Sequence, residues 1–522
     1  MDRYDVIVIG AGLGGLTAAA LLAQAGRKTL LIERNYGVGG AASTYKSGDL
    51  VVEASLHETS NPQDPIDPKH HVLAGLGVLD KVNWVPTGAV YQVRGGPIGD
   101  VPFELPEGFT QARWSLVDRF PQARDGIGSV LHDMEQTVGA LGVLSKGRQA
   151  FDRPLEGLSA LLKLGPVVRG WRRSLGERFQ RAFGDDEAAK CALGANILYW
   201  HDDPDTLWWN LFAIAQGGYI GSGGRYIQGG SQRLSNALAK ALRSAGGELI
   251  LRRTVTEILL DGEGRPVGVA HEGKGGEGRV EAHAPIVVSN AAPAHVNHML
   301  PYATRQRFFA PYASRPLSIS LFSATFGLSV RPAQFGFTAY STVLLPEWMR
   351  SLSDYRRCAG ILANSPGEFM PPVAAVDYSA IDGGLGGPPY PVSVVGVDRL
   401  ANWSDLSKGA YDEKRQLWSA AITAAIDRVF PGFAAKVVTS VFSTASTMRT
   451  YLNAPEGAVY GFAPRPPAGS FLKGPETSPR TPIEGLFLAS SYAGSGGYTG
   501  AILAGAAAAR QVLAANGSRS AG

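Results

Sequence analysis

Gly10, Gly12, Gly14 and Gly15 crowd into the run "GAGLGG", and the acid Glu33 ends the next apolar stretch. Glycines at this spacing let a backbone turn tightly and bring its N–H groups against an anion, and a carboxylate roughly 20 residues further on can accept bonds from ribose hydroxyls. Gly37-Val38-Gly39-Gly40 follows Glu33, and "GSGGYTG" near the C-terminus holds Gly496, Gly497, Tyr498, Thr499 and Gly500. Groups able to carry a proton stand apart from these glycines: His57 and Glu58 in "ASLHETS", His201, Asp202 and Asp203 after an aromatic run, Arg225 after "GSGG", then Arg449 and Tyr451.

These residues need elements to position them. No charged residue lies between Asp5 and Arg27, a length that also suits a membrane anchor. The internal pattern divides it. Val6-Ile7-Val8-Ile9 is β-branched, as in a strand buried on both faces, and Leu16 to Ala25 is rich in the helix formers Ala and Leu. Strand, glycine turn and helix form the context in which GxGxxG signals a dinucleotide site. Thr29 to Ile32 reads as a second strand delivering Glu33, whose charge favours FAD or NAD over a 2′-phosphorylated nucleotide. A further strand, glycine loop and helix close the chain from Gly485 to Leu513.

The chain has 522 residues, which predicts two or three domains, and its 45% hydrophobic and 18% charged content is that of a globular protein. A net charge of +4 gives no reason to expect nucleic acid. Cys191 and Cys358 are too few for a disulfide framework and fit a reducing, cytoplasmic setting; the N-terminus does not read as a signal peptide. Among nine histidines no metal-ligand spacing occurs, and adjacent His70-His71 cannot easily converge on one ion. No sequence repeat stands out.

The chain resembles the FAD-dependent phytoene desaturase-like flavoproteins, the branch with carotenoid isomerases and retinol saturases. The resemblance rests on "DVIVIGAGLGGLTAAALLAQAGRKTLLIERNYGVGGAAS", "YIQGGSQRLSNALAKALRSAGGELILRRTVTEI", "YDEKRQLWSAAITAAIDRVFPGF", "STASTMRTYLNAPEGAVYGFAP" and "GLFLASSYAGSGGYTGAILAGAAAA", in that order. It departs at Ala41-Ala42, where many relatives carry a longer or basic residue. The resemblance implies an α/β fold in which a Rossmann-type FAD-binding domain (1–55, 222–292 and 476–515) is interleaved with an α+β substrate domain (56–221 and 293–475), with residues 516–522 as a disordered tail. It implies tightly bound FAD, with Gly10, Gly12 and Gly15 at the pyrophosphate, Glu33 at the adenosine ribose, and Gly14, Arg34, Gly39, Gly40 and Ala41 also among the cofactor-binding residues. Val255 would meet the adenine, and Gly496, Gly497, Thr499 and Ile502 the flavin.

Tyr199, Trp200, Trp208, Trp209, Phe212 and Tyr219 are expected either in the core or around an apolar substrate. Gly221 to Gly224 lacks a preceding strand and is not a second nucleotide loop. Residues 158–182 are basic and amphipathic, divided at Gly165-Pro166, and offer a peripheral membrane contact. The loop Asn61 to Pro68 is expected at the surface. Flavin chemistry moves a hydride at N5 and leaves the protein to handle a proton; His57 is the first candidate, before Glu58, Arg225 and Tyr498. The reaction expected is desaturation or saturation of carbon–carbon bonds in a long isoprenoid, carotenoid or retinoid-like chain. A redox-neutral isomerase on reduced FAD, an amine oxidase-like flavoenzyme and a non-enzymatic flavin binder remain as alternatives. Oligomeric state is not legible.

Overall fold

The computed structural model describes residues 3–145 and 164–517. A five-stranded parallel sheet runs in the order Glu248–Ile250, Thr29–Ile32, Val6–Ile9, Val287–Ser289, Leu486–Leu488. Every residue of Val6–Ile9 is buried because the sheet is covered twice. Val6, Val8 and Leu31 face the helices Leu13–Gln24, Gln232–Ser244 and Gly497–Gly517, while Ile7, Ile9 and Leu30 face the meander and helices that follow Thr254.

A second sheet has seven strands in the order Val437–Ser443, Ser320–Leu328, Tyr390–Asp398, Val373–Asp377, Ser341–Leu345, Tyr91–Gly95, Phe103–Leu105. Its period-2 alternation separates two cores. Phe322, Ala324, Phe326, Val392 and Val394 pack under helix Lys408–Val429, and Val395 and Val397 pack toward helices Arg124–Ser145 and Trp209–Ser222. Strand Gly224–Ile227 pairs with Thr59–Ser60 on one side and Trp84–Pro86 on the other.

Several expectations change. Leu73, Leu76, Val78, Val82 and Trp84 join the core of the N-terminal helix, and Val296, Leu300 and Phe308 join the opposite core, so the parallel-sheet unit takes in both segments. Segments beyond the expected boundaries at 55 and 292 pack on this sheet because each of its faces needs covering. The closing helix runs to Gly517, so residues 516 and 517 of the expected tail are helical; residues 518–522 lie outside the described residues. Residues 158–163 also lie outside them. From 164 the chain is helical to 169, so Pro166 stands within a helix and the break falls at Gly170 to Arg173. In helix Leu175–Phe183 the apolar stripe of Leu175, Phe179 and Phe183 is buried in the core, which removes it as a membrane-facing surface. Among the described residues no helix is long and apolar enough to cross a membrane. The loop at 61–68 is only partly superficial: Asp67 is buried and pairs with buried Lys69 at 2.7 Å.

Candidate active site

The N-terminal turn is an anion cradle. Gly10 holds φ +90°, open to glycine at little cost, and Gly12 precedes the helix with no side-chain cap. A Cβ on Gly12 would stand 2.5 Å from Asn290 Nδ2, so the turn closes only without one. Gly39 donates its N–H to Ala11 O at 2.7 Å, which lays the second glycine cluster against the first, and Gly40 lies over Gly12. Glu33 is buried, with Oε2 accepting from Ala11 N–H (2.7 Å) and Oε1 from Asn35 N–H (2.8 Å). Each carboxylate oxygen has a second lone pair for a ribose hydroxyl.

Not all the expected ligand contacts face this cradle. Gly10, Gly12, Gly14, Glu33, Arg34, Gly39, Gly40, Ala41, Val255, Gly496, Gly497 and Thr499 line one cavity; Gly15 and Ile502 do not. Gly15 donates its N–H to Asn290 Oδ1 at 3.1 Å and packs on the Gly10 carbonyl, so its glycine serves helix-to-turn packing. Ile502 is fully buried beneath its helix. The Arg34 guanidinium donates to the carbonyls of Thr450 (3.0 Å) and Tyr451 (2.8 Å), tying the cradle to helix Ala445–Leu452. The residues present fit a dinucleotide: two helix N-termini, glycines that admit close approach, and a ribose-height carboxylate.

The cavity measures about 2050 Å³. Ordinary small-molecule pockets occupy roughly 300–1,000 Å³, so there is room for a dinucleotide and a second large molecule. Away from the glycines the walls turn aromatic and aliphatic. Tyr199, Trp200, Trp208 and Tyr219 line this arm, whereas Trp209 and Phe212 are core residues. The sequence offers both roles for this run, and both occur: Trp209 and Phe212 are buried within the core, while Tyr199, Trp200 and Tyr219 pack against that core and also reach the cavity.

Residues 55 to 58 join the arms. The Ser55 and Tyr498 hydroxyls are hydrogen-bonded at 3.2 Å beside the C-terminal glycine loop. Three successive carbonyls are then held by three tyrosines: Tyr378 donates to Leu56 O (3.1 Å), Tyr340 to His57 O, and Tyr219 to Glu58 O (3.2 Å). His57 is buried, with Nδ1 hydrogen-bonded to Tyr199 (2.7 Å) and Nε2 to Ser393 (3.2 Å). Burial pushes its ring down to about 4, so it is neutral at pH 7. Glu58 is half-buried, its open edge turned to the cavity; desolvation outweighs the Thr87 hydrogen bond and pushes its carboxyl up to about 8.

The other candidates are elsewhere. Arg225 lies outside the cavity, donating to Gly224 O (2.7 Å) and pairing with Glu107 (3.8 Å). His201, Asp202, Asp203 and Arg449 stand away from the cavity wall, with His201 Nε2 hydrogen-bonded to Thr206 (2.9 Å); Tyr451 reaches the rim. His70 Nδ1 is taken by Pro62 O at 2.8 Å. Sequence reasoning passed over Glu53, whose buried carboxylate accepts from Ser231 N–H (2.8 Å) and Thr44 Oγ1 (2.9 Å) and so fixes the "QGGSQ" turn. It also passed over Asn290; an amide side chain directly after the buried strand Val287–Ser289 was the available signal.

This is an α/β fold built around a five-stranded parallel sheet and a seven-stranded mixed sheet, with a dinucleotide cradle on the former, and solved structures share it. Cyclohexylamine oxidase from Brevibacterium oxydans aligns with TM-score 0.59 at 16% identity, over 98% of each chain. Putrescine oxidase bound to putrescine aligns with TM-score 0.59 at 14% identity, over 99% of each. The model of an NAD(P)-binding Rossmann-like domain matches residues 8–65. All-trans-retinol 13,14-reductase of Macaca fascicularis is 26% identical over 58% of this chain and 49% of its own. Phytoene desaturase (neurosporene-forming) of Rhodobacter capsulatus is 24% identical over 94% and 90%. Prolycopene isomerase 2 of an Oncidium hybrid cultivar is 24% identical over 93% and 79%. These relatives, together with the Rossmann-like match, support the resemblance to the phytoene desaturase-like flavoproteins. It spans about half the length of the first curated relatives it matches.

Proposed function

We propose that this chain is an FAD-dependent oxidoreductase that adds or removes hydrogen across a carbon–carbon bond of a long apolar, isoprenoid-type substrate. The observation that carries the reading is the continuity of one cavity from the glycine cradle to the aromatic arm. FAD is favoured by the Glu33 carboxylate, which repels a 2′-phosphate, and by a cavity with room for a dinucleotide and a greasy chain together. Gly10, Gly12, Gly39 and Gly40 would hold the pyrophosphate, Glu33 the ribose, Val255 the adenine, and Gly496, Gly497 and Thr499 the flavin side. Bound there, FAD would supply two-electron hydride chemistry.

The chain's own residues supply the rest. Tyr199, Trp200, Trp208 and Tyr219 give an apolar wall that excludes water, and the tyrosine-held segment 56–58 fixes the polar groups facing it. An amine substrate is supported less, because among the described residues no lysine lines the cavity and the amine oxidases share only the fold. The test is the purified protein's own colour: heat-released cofactor chromatographs as FAD in about one equivalent, and an added retinoid or carotenoid changes the flavin spectrum. A colourless, flavin-free protein overturns the proposal.

A further inference from the structure

The last glycine of the run "GSGGRY" has a packing use. Gly224 opens strand Gly224–Ile227, where a Cβ would stand 2.4 Å from Glu58 Oε2 and 2.3 Å from Thr87 Oγ1. The bare backbone is the seat on which the Glu58 carboxyl lies, with Thr87 Oγ1 donating to Oε2 at 3.1 Å. The titratable groups around it are the phenols of Tyr199, Tyr219 and Tyr340 and the neighbouring His57 ring. Glu107 and Arg225 pair with each other beyond Gly223. Among the described residues no cation pairs with Glu58, and burial without one favours the protonated acid.

Position matches this chemistry. Ser55 touches Tyr498 in the C-terminal loop, and three residues of chain span at most about 10 Å. Glu58 is therefore within reach of both the expected flavin side and the aromatic arm. The Tyr219 bond to its carbonyl holds its backbone in place, so the side chain needs little reorganisation.

Resting on the oxidoreductase reading above, we infer that Glu58 is the residue that exchanges the proton in this reaction, seated by Gly224 and Thr87. In saturation, the Glu58 O–H bond breaks and its proton joins one carbon of the C=C bond. The other carbon receives a hydride from reduced flavin, the π pair forms the new C–H bond, and the carboxylate regains a proton from water. In desaturation the Glu58 carboxylate takes the proton from one carbon as the neighbouring carbon loses hydride to oxidised flavin, and the C–H pair becomes the π bond. His57 is a positioning residue, since both its ring nitrogens are committed to Tyr199 and Ser393.

The test uses holoenzyme. Infrared difference spectra with labelled glutamate should show a protonated carboxyl at pH 7 that disappears in Glu58→Gln and titrates higher still in Thr87→Val. Glu58→Gln should keep its fold and flavin content yet lose about 10²–10⁴-fold in turnover. Saturation by the wild type should fall as pH rises through the Glu58 titration, and desaturation should rise. Unchanged turnover in Glu58→Gln, or a carboxyl already ionised at pH 6, overturns the assignment and leaves the oxidoreductase reading standing. A wild type that makes no product altered by two hydrogens overturns both.

Discussion

The carbonyl of Gly14 lies 2.2 Å from the point where a Cβ on Gly505 would stand, so the first and last helices of the chain touch backbone to backbone. Their N-termini are the two dipole ends aimed at the cofactor cradle. Gly505→Ala must push these helices apart. An overpacked contact of this kind costs about 1–3 kcal/mol, and the variant should show a lower Tm together with weaker flavin retention. Unchanged Tm and flavin content would mean that the contact is unimportant.

Tyr340 and Tyr378 hold the carbonyls of His57 and Leu56. Tyr340→Phe leaves a buried carbonyl without its donor, at a cost of about 1–3 kcal/mol. Turnover should fall as well, because the segment presenting Glu58 loosens. Chemical denaturation and steady-state kinetics on the same variant check both effects.

The Lys69–Asp67 pair is buried at 2.7 Å, with Lys69 Nζ also donating to Ser60 O at 2.7 Å. Breaking it from one side with Lys69→Met strands a carboxylate and should cost about 3–5 kcal/mol. Adding Asp67→Leu should recover most of that loss. A double variant no more stable than Lys69→Met would show that the charge is not the cause.

Burial holds His57 near 4 in the folded chain, against about 6.5 when exposed. Unfolding therefore takes up a proton between these values, and the stability from the neutral ring is lost as pH falls from 6.5 through 4. His57→Gln should reduce the acid-induced loss by up to about 3 kcal/mol relative to wild type, measured by urea titration at pH 7 and pH 4.5. Glu58 is common to both proteins, so its own opposite dependence cancels in the difference.

The cradle was legible because its signals are local: Gly10 and Gly12 follow a β-branched strand, and Glu33 ends the next one. A motif does not say which side of a turn or helix meets the ligand, and Gly15 and Ile502 stand outside the cavity wall. Arg225 shows the same limit, standing beside Gly224 in sequence with its guanidinium directed to Glu107. The sequence ranks His57 before Glu58 on the ordinary titration range of imidazole alone, since the partners Thr87, Tyr199 and Ser393 come from distant segments. The pairing of Asp67 with Lys69 was hidden by a Pro- and Asp-rich composition that reads as surface loop.

The most direct test of the account is the mass of the product. Holoenzyme is incubated without oxygen with a retinoid or carotenoid, once with oxidised and once with chemically reduced flavin, and the extract is analysed by liquid chromatography and mass spectrometry. The account predicts a product lighter by two hydrogens in the first case or heavier by two in the second, with matching reduction or oxidation of the flavin. A product of unchanged mass in both would contradict it and favour isomerisation.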